Sequence, residues 1–126
     1  MTQNSSETVP AIDTKVLLHI KLMMGAELQS VLIQHFIDGV QPQLEELREA
    51  IIHRDITKIR QKSHRLKGES LQMGANQMAM TCQLLENMAK EANSSDELKY
   101  HEYLERLEIE FSSVKILLQP ENAHEN

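Results

Sequence analysis

Residues 63 to 70 read Ser-His-Arg-Leu-Lys-Gly-Glu-Ser, and His64, Lys67 and Gly68 within them have the types and spacing to do chemistry together. An imidazole with a pKa of about 6.5 is largely neutral near pH 7, which leaves one ring nitrogen, expected to be Nε2, free as a nucleophile. On a helix, Lys67 and Gly68 lie about one turn beyond His64. The Lys67 ammonium can then offset negative charge arriving on the imidazole, a phosphoryl group above all. Glycine inside a helix costs about 1 kcal/mol relative to alanine and calls for a packing or functional reason. A missing side chain at Gly68 lets another protein approach the ring closely.

The helix that must carry these residues is predicted from an Asp55 start to about Met73, with Gly74 as a left-handed cap. At about 100° per residue, Ile56, Ile59, Ser63, Leu66, Ser70 and Met73 gather on the core side. His64 points about 130° away from the middle of that stripe and is expected to be exposed, with Thr57, Arg60, Lys67, Gly68 and Leu71 as neighbours.

Four other segments read as helical. Asp13 caps a first helix to about Met24, and Gly25 breaks it. A second runs from about Ala26 to His53, with Leu28, Leu32, Phe36, Val40, Leu44, Leu47 and Ile51 on one stripe and Pro42 expected to kink it. A fourth runs from about Ala75 to Ala92, its seam formed by Met78, Cys82, Leu85, Ala89 and Ala92. The Ser94 to Glu97 pair has capping-box spacing and opens a fifth, which buries Tyr100, Leu104, Leu107, Phe111, Val114 and Leu118. Four long amphipathic segments on short loops, with no period-two stretch, predict an all-α antiparallel up-down-up-down four-helix bundle. The short N-terminal helix caps one end. The expected organisation is a tail over 1–11, a domain over 12–118 and a second tail over 119–126.

Composition is that of one soluble domain: 126 residues, 40% hydrophobic and 25% charged. With only two Phe, two Tyr and no Trp, aliphatic residues must supply the core. The single Cys82 excludes an internal disulfide and is expected in the core. The longest uncharged stretch, Leu71 to Leu85, is too short and too polar to cross a bilayer, so no membrane span is expected. The opening residues MTQNSSETVP carry no secretory signal pattern, and a cytoplasmic location is expected. The formal net charge of −6 argues against nucleic acid as a partner. Yet the stretch from Arg54 to Lys67 is a basic island of net +5, so the remaining residues carry −11.

His64-Arg65-Leu66-Lys67-Gly68, followed by Ser70 and Gly74-Ala75, closely resembles the HxLKG signature of histidine-phosphotransfer (HPt) domains. The resemblance covers roughly residues 13 to 118 and takes in Leu44, Leu47 and Ala50 to Asp55 before the motif, and Cys82, Leu85 and Glu86 after it. Glu69 and Gln72 depart from it, standing where small residues or Asn are frequent. The resemblance implies a phosphorelay intermediate without kinase activity of its own. His64 would take a phosphoryl group from a receiver-domain aspartate of a hybrid sensor kinase and pass it to a response-regulator aspartate. Lys67 would stabilise phosphate charge, Gly68 would give access, and Arg65 and Ser70 would support them as parts of the motif. From the fourth helix, Gln83 or Glu86 would orient the ring. No cofactor of its own is implied, since the receiver would supply Mg²⁺, and a monomer is expected. Docking in such domains uses apolar surface on the first two helices. Leu18, Leu22, Met23, Met24 and Leu28 fit that role, and equally fit packing at the end of the bundle.

Two other readings compete. A metal-holding bundle is weakened because, within the segments read as helical, the histidines form no Glu-x-x-His or His-x-x-x-His pair. A helical adaptor without chemistry would have no need of His64, Lys67 and Gly68 together.

Overall fold

The computed structural model describes residues 9–91 and 96–119. Five helices follow in order: α1 (Thr14–Met24), α2 (Ala26–Ile52), α3 (Ile56–Gln72), α4 (Asn76–Lys90) and α5 (Glu97–Leu118). Three of them start on an aspartate that satisfies an otherwise unpaired backbone N–H. Asp13 accepts from Lys15 at 3.0 Å, and Asp55 and Asp96 accept from Lys58 and Lys99 at 3.1 Å each. The cap of α5 is thus Asp96 rather than Ser94, which lies outside the described residues, as does Ala92. Gly25 (φ +91°) and Gly74 (φ +79°) end α1 and follow α3 in a backbone region that favours glycine. The helix α2 continues through Pro42.

Side-chain pairs fix the direction of each neighbour. Between α2 and α3, Gln43 meets Glu69 and Glu46 meets Lys62. Between α3 and α4, Lys67 meets Gln83 and His64 meets Glu86. Between α2 and α5, Gln34 meets Gln119, Arg48 meets Glu108 and Arg54 meets Glu97. In each series one number rises as the other falls, so these neighbours are antiparallel. With α4 also packed on α5, the ring closes as the up-down-up-down bundle the sequence predicts.

The interior is aliphatic. Val40, Leu44, Leu47 and Ile51 of α2 meet Ile59 and Leu66 of α3, Met78, Cys82 and Leu85 of α4, and Leu104, Leu107, Phe111 and Val114 of α5. Burying each large side chain contributes roughly 1.5–3 kcal/mol, which sets the helix faces firmly. All six expected core residues of α5 are buried. On α3 the expectation fails for Ile56 alone, which is exposed at the first turn, where the chain is only entering the bundle.

At 27 residues, α2 is about 40 Å long against about 26 Å for the 17-residue α3, so its first turns project beyond the four-helix core. There α1 lies against it, with Gln29 Nε2 donating to the Leu17 carbonyl at 2.7 Å. The start of α1 is tied to the α3–α4 turn, because the Asp13 amide donates to the Gly74 carbonyl at 2.8 Å. No residue of α1 is fully buried. The N-terminal tail boundary needs correction: the Val9 carbonyl accepts from Gln77 Nε2 at 2.8 Å, and Ala11 packs on the core. The backbone between Pro10 and the Asp13 cap carries apolar side chains that the bundle end can cover, which a composition-based boundary overlooks.

Candidate functional site

The site is built where α3 and α4 run side by side, the most extensive helix pairing in the bundle. Ser63 and Leu66, both fully buried, lock the inner face of α3, and the Ser63 hydroxyl donates to the Ile59 carbonyl at 2.6 Å. This rotation turns His64 outward, with 66% of its side chain exposed. Thr57, Arg60, Gly68 and Leu71 share its exposed face, as their spacing predicts.

Opposite His64, α4 presents Glu86, whose side chain is only 6% exposed. Its Oε2 lies 3.0 Å from His64 Nδ1 and its Oε1 lies 3.4 Å from Lys67 Nζ. Lys90, one turn further along α4, brings its Nζ to 3.6 Å from Glu86 Oε2. Burial works to raise the Glu86 carboxyl, but the Lys67 ammonium and His64 outweigh it and hold the group below the ordinary carboxylate range. An ionised carboxylate can only accept hydrogen bonds, so the ring proton belongs on Nδ1. The Nε2 lone pair then faces outward. A shallow depression of about 400 Å³, lined by Arg60, Gln61, His64, Glu86 and Lys90, lies against the ring.

Sequence reasoning left two candidates for orienting the ring, and the structure separates them. Glu86 reaches His64, whereas Gln83 Oε1 accepts from Lys67 Nζ at 2.7 Å. Gly68 is exposed, and a Cβ placed there would meet nothing within 4 Å. No internal packing therefore demands glycine, and the space above it is open to an incoming molecule.

Two residues of the motif stand apart from this group. Arg65 turns towards α2 and pairs with Glu69, Nε to Oε2 at 3.2 Å, while Glu69 Oε1 accepts from Gln43. Ser70 is fully buried on the core face of α3. A helix sends residues 64, 65 and 66 in three directions, so adjacency in the motif is not adjacency in the site. Conversely, Lys90 and Asn87 belong to the site's surroundings and were not singled out in the sequence. Their i, i+4 spacing from Glu86 and Gln83 is the signal that could have found them.

Among the described residues, no group of three or more His, Cys, Asp or Glu is placed to hold a metal ion. Burial pushes the Cys82 thiol up to about 12, which removes its nucleophilic form at neutral pH. No described helix is long and apolar enough to cross a membrane.

The fold and the site together define a helical bundle that exposes the His64 ring, held at Nδ1 by Glu86 and open on its outer side. The model of the Hpt domain family matches residues 31–115, and the chain belongs to that family, the histidine-phosphotransfer domains of two-component phosphorelays. Among solved structures, it is similar to histidine-containing phosphotransfer protein B of Pseudomonas aeruginosa, at 29% identity and a TM-score of 0.83, over 91% of this chain and 96% of that one. It also shares its fold with the histidine phosphotransfer signaling protein Ypd1 of Saccharomyces cerevisiae, solved with the receiver domain of its downstream response regulator Ssk1. That match has 20% identity and a TM-score of 0.80, over 91% of this chain and 97% of the other. No curated protein matches the chain.

Proposed function

We propose that His64 is the phosphoryl carrier, loaded from an aspartyl phosphate on one receiver domain, that of a hybrid sensor kinase, and unloaded onto the aspartate of a response regulator. The observation that carries this reading is the exposed His64 ring held at Nδ1 by buried Glu86, 3.0 Å away. In the loading step the Nε2 lone pair attacks phosphorus, the bond from phosphorus to the aspartyl oxygen breaks, and the carboxylate leaves. The ring becomes formally cationic while keeping its Nδ1 proton, and the Glu86 carboxylate stabilises that charge. Unloading reverses the bonds, with the ring leaving as neutral imidazole. Lys67 offsets the charge of the phosphoryl oxygens.

Positioning is the remaining requirement, and the surface supports it. From His64, Gly68 and Leu71 follow along one face of α3 towards the end of the bundle where α1 lies. There Leu18, Leu22, Met23, Met24 and Leu28 are all exposed, as is Val31. Packing at the bundle end does not bury them, and they form the apolar surface on which a receiver docks. The receiver supplies the Mg²⁺ that its aspartyl phosphate requires. The protein works as a monomer in the cytoplasm and draws phosphate from partners rather than from ATP.

Incubation with a phosphorylated receiver domain tests the reading. The wild-type chain is expected to acquire acid-labile phosphate and His64→Gln is not. Equal labelling of the two would refute His64 as the carrier.

A further inference from the structure

Lysine carries its charge on a flexible four-carbon stem, so an ammonium that must meet a phosphoryl group at one place has to be held there. Lys67 is held from α4. Its side chain is only 23% exposed, and its Nζ donates to Gln83 Oε1 at 2.7 Å while lying 3.4 Å from Glu86 Oε1. The Gln83 amide is itself fixed: Nε2 donates to Asn87 Oδ1 at 2.8 Å, one turn along α4. Each contact runs in one sense only. Lys67 can only donate, so the Gln83 oxygen faces it, and the amide nitrogen is left for the Asn87 oxygen.

Lys67 is already paired with the Glu86 carboxylate at 3.4 Å, and Gln83 is the neutral group that competes for the same ammonium. A tighter ion pair there would spend more of the charge that holds the His64 Nδ1 proton. Gln83 takes the shorter contact, 2.7 Å against 3.4 Å, and so limits how closely the cation settles on Glu86.

We infer that Gln83, braced by Asn87, is a positioning residue for phosphoryl transfer, acting through Lys67 and not through the histidine ring. The inference rests on the phosphotransfer reading and adds to it which residue sets the place of the phosphate-binding cation.

A double-mutant cycle in the full chain tests it, measuring the rate of transfer from a phosphorylated receiver and the receiver Kd. Gln83→Met is expected to slow transfer by up to about tenfold, the scale of one hydrogen bond to a charged group. The Kd should stay unchanged, and Asn87→Ala should produce a smaller loss of the same kind. In a Lys67→Met background, adding Gln83→Met should have no further effect. Circular dichroism checks that each variant folds. An equal loss in both backgrounds, a raised Kd, or no loss at all would overturn the inference. The unphosphorylated protein gives an independent readout, since the two Cε proton signals of Lys67 should move towards one averaged shift in Gln83→Met. Unchanged signals would overturn the inference while leaving the phosphotransfer reading intact. A wild-type chain that takes no phosphate would refute that reading itself.

Discussion

Glu86 reaches 3.0 Å from His64 across the α3–α4 contact, twenty-two residues further along the chain, and it does so as a buried carboxylate. Its pKa is held below the ordinary value of 4.5, so the stabilisation it provides is complete above that pH. It is lost as pH falls through the lower folded-state value. Glu86→Gln is expected to cost about 1.5–3 kcal/mol at pH 7, the scale of a hydrogen bond to a charged group. Urea titrations at pH 7 and pH 3 check this: the gap between wild type and variant should shrink at the lower pH. A gap independent of pH would mean that the carboxylate charge is irrelevant to the fold.

Gly68 offers a case in which stability and activity move apart. Alanine there gains about 1 kcal/mol of helix propensity, and its methyl group meets nothing within the protein. Gly68→Ala should raise the melting temperature while slowing transfer from a phosphorylated receiver, because the methyl group intrudes where the partner approaches His64. Unimpaired transfer would remove access as the reason for glycine.

Gly74 behaves in the opposite way. Its φ is +79°, and a Cβ would lie 2.9 Å from the Asp13 carbonyl oxygen and 3.1 Å from Val16 Cβ. Gly74→Ala should destabilise the protein by about 1–3 kcal/mol, from left-handed strain with the clash added to it. Hydrogen exchange should show the loss first at the Asp13 amide, which donates to the Gly74 carbonyl.

Glu110 has its pKa raised by burial, only partly opposed by the Thr81 hydroxyl and Arg106. A raised carboxyl pKa favours the folded state at low pH, and this contribution is lost as pH rises through the folded value. Glu110→Gln keeps an acceptor for Thr81, whose bond is 2.7 Å long, and removes the buried charge. The variant should therefore be more stable than wild type at pH 7, by about 0.5–1 kcal/mol, and should lose that advantage at pH 4. Thermal melts at the two pH values decide it.

The helices were legible because each long one states its buried face in apolar spacing, and Asp13, Asp55 and Gly74 punctuate them. The position of His64 followed from the same rotation. What spacing could not reveal was the partner of each polar group. Gln83 and Glu86 lie about one turn apart on α4, and only the register of α4 against α3 decides which meets the ring. Arg65 and Ser70 were drawn into the site by their place in the motif, although helix geometry sends one towards α2 and the other into the core. Ile56 and residues 9–11 failed for a different reason: at the ends of elements, coverage depends on neighbours distant in sequence.

Arg60, Lys67 and Lys90 place positive charge around His64 and Glu86, in a protein whose formal net charge is −6, while Arg54, Lys62 and Arg65 of the same basic stretch are paired with Glu97, Glu46 and Glu69. An acidic partner is attracted by that local charge against the net repulsion of the whole, so collisions that present it to His64 are favoured before any contact forms. Added salt shortens the reach of that field to about 8 Å at physiological ionic strength. The rate of encounter then answers to the ionic medium, while the chemistry at the docked imidazole, shielded from it, does not.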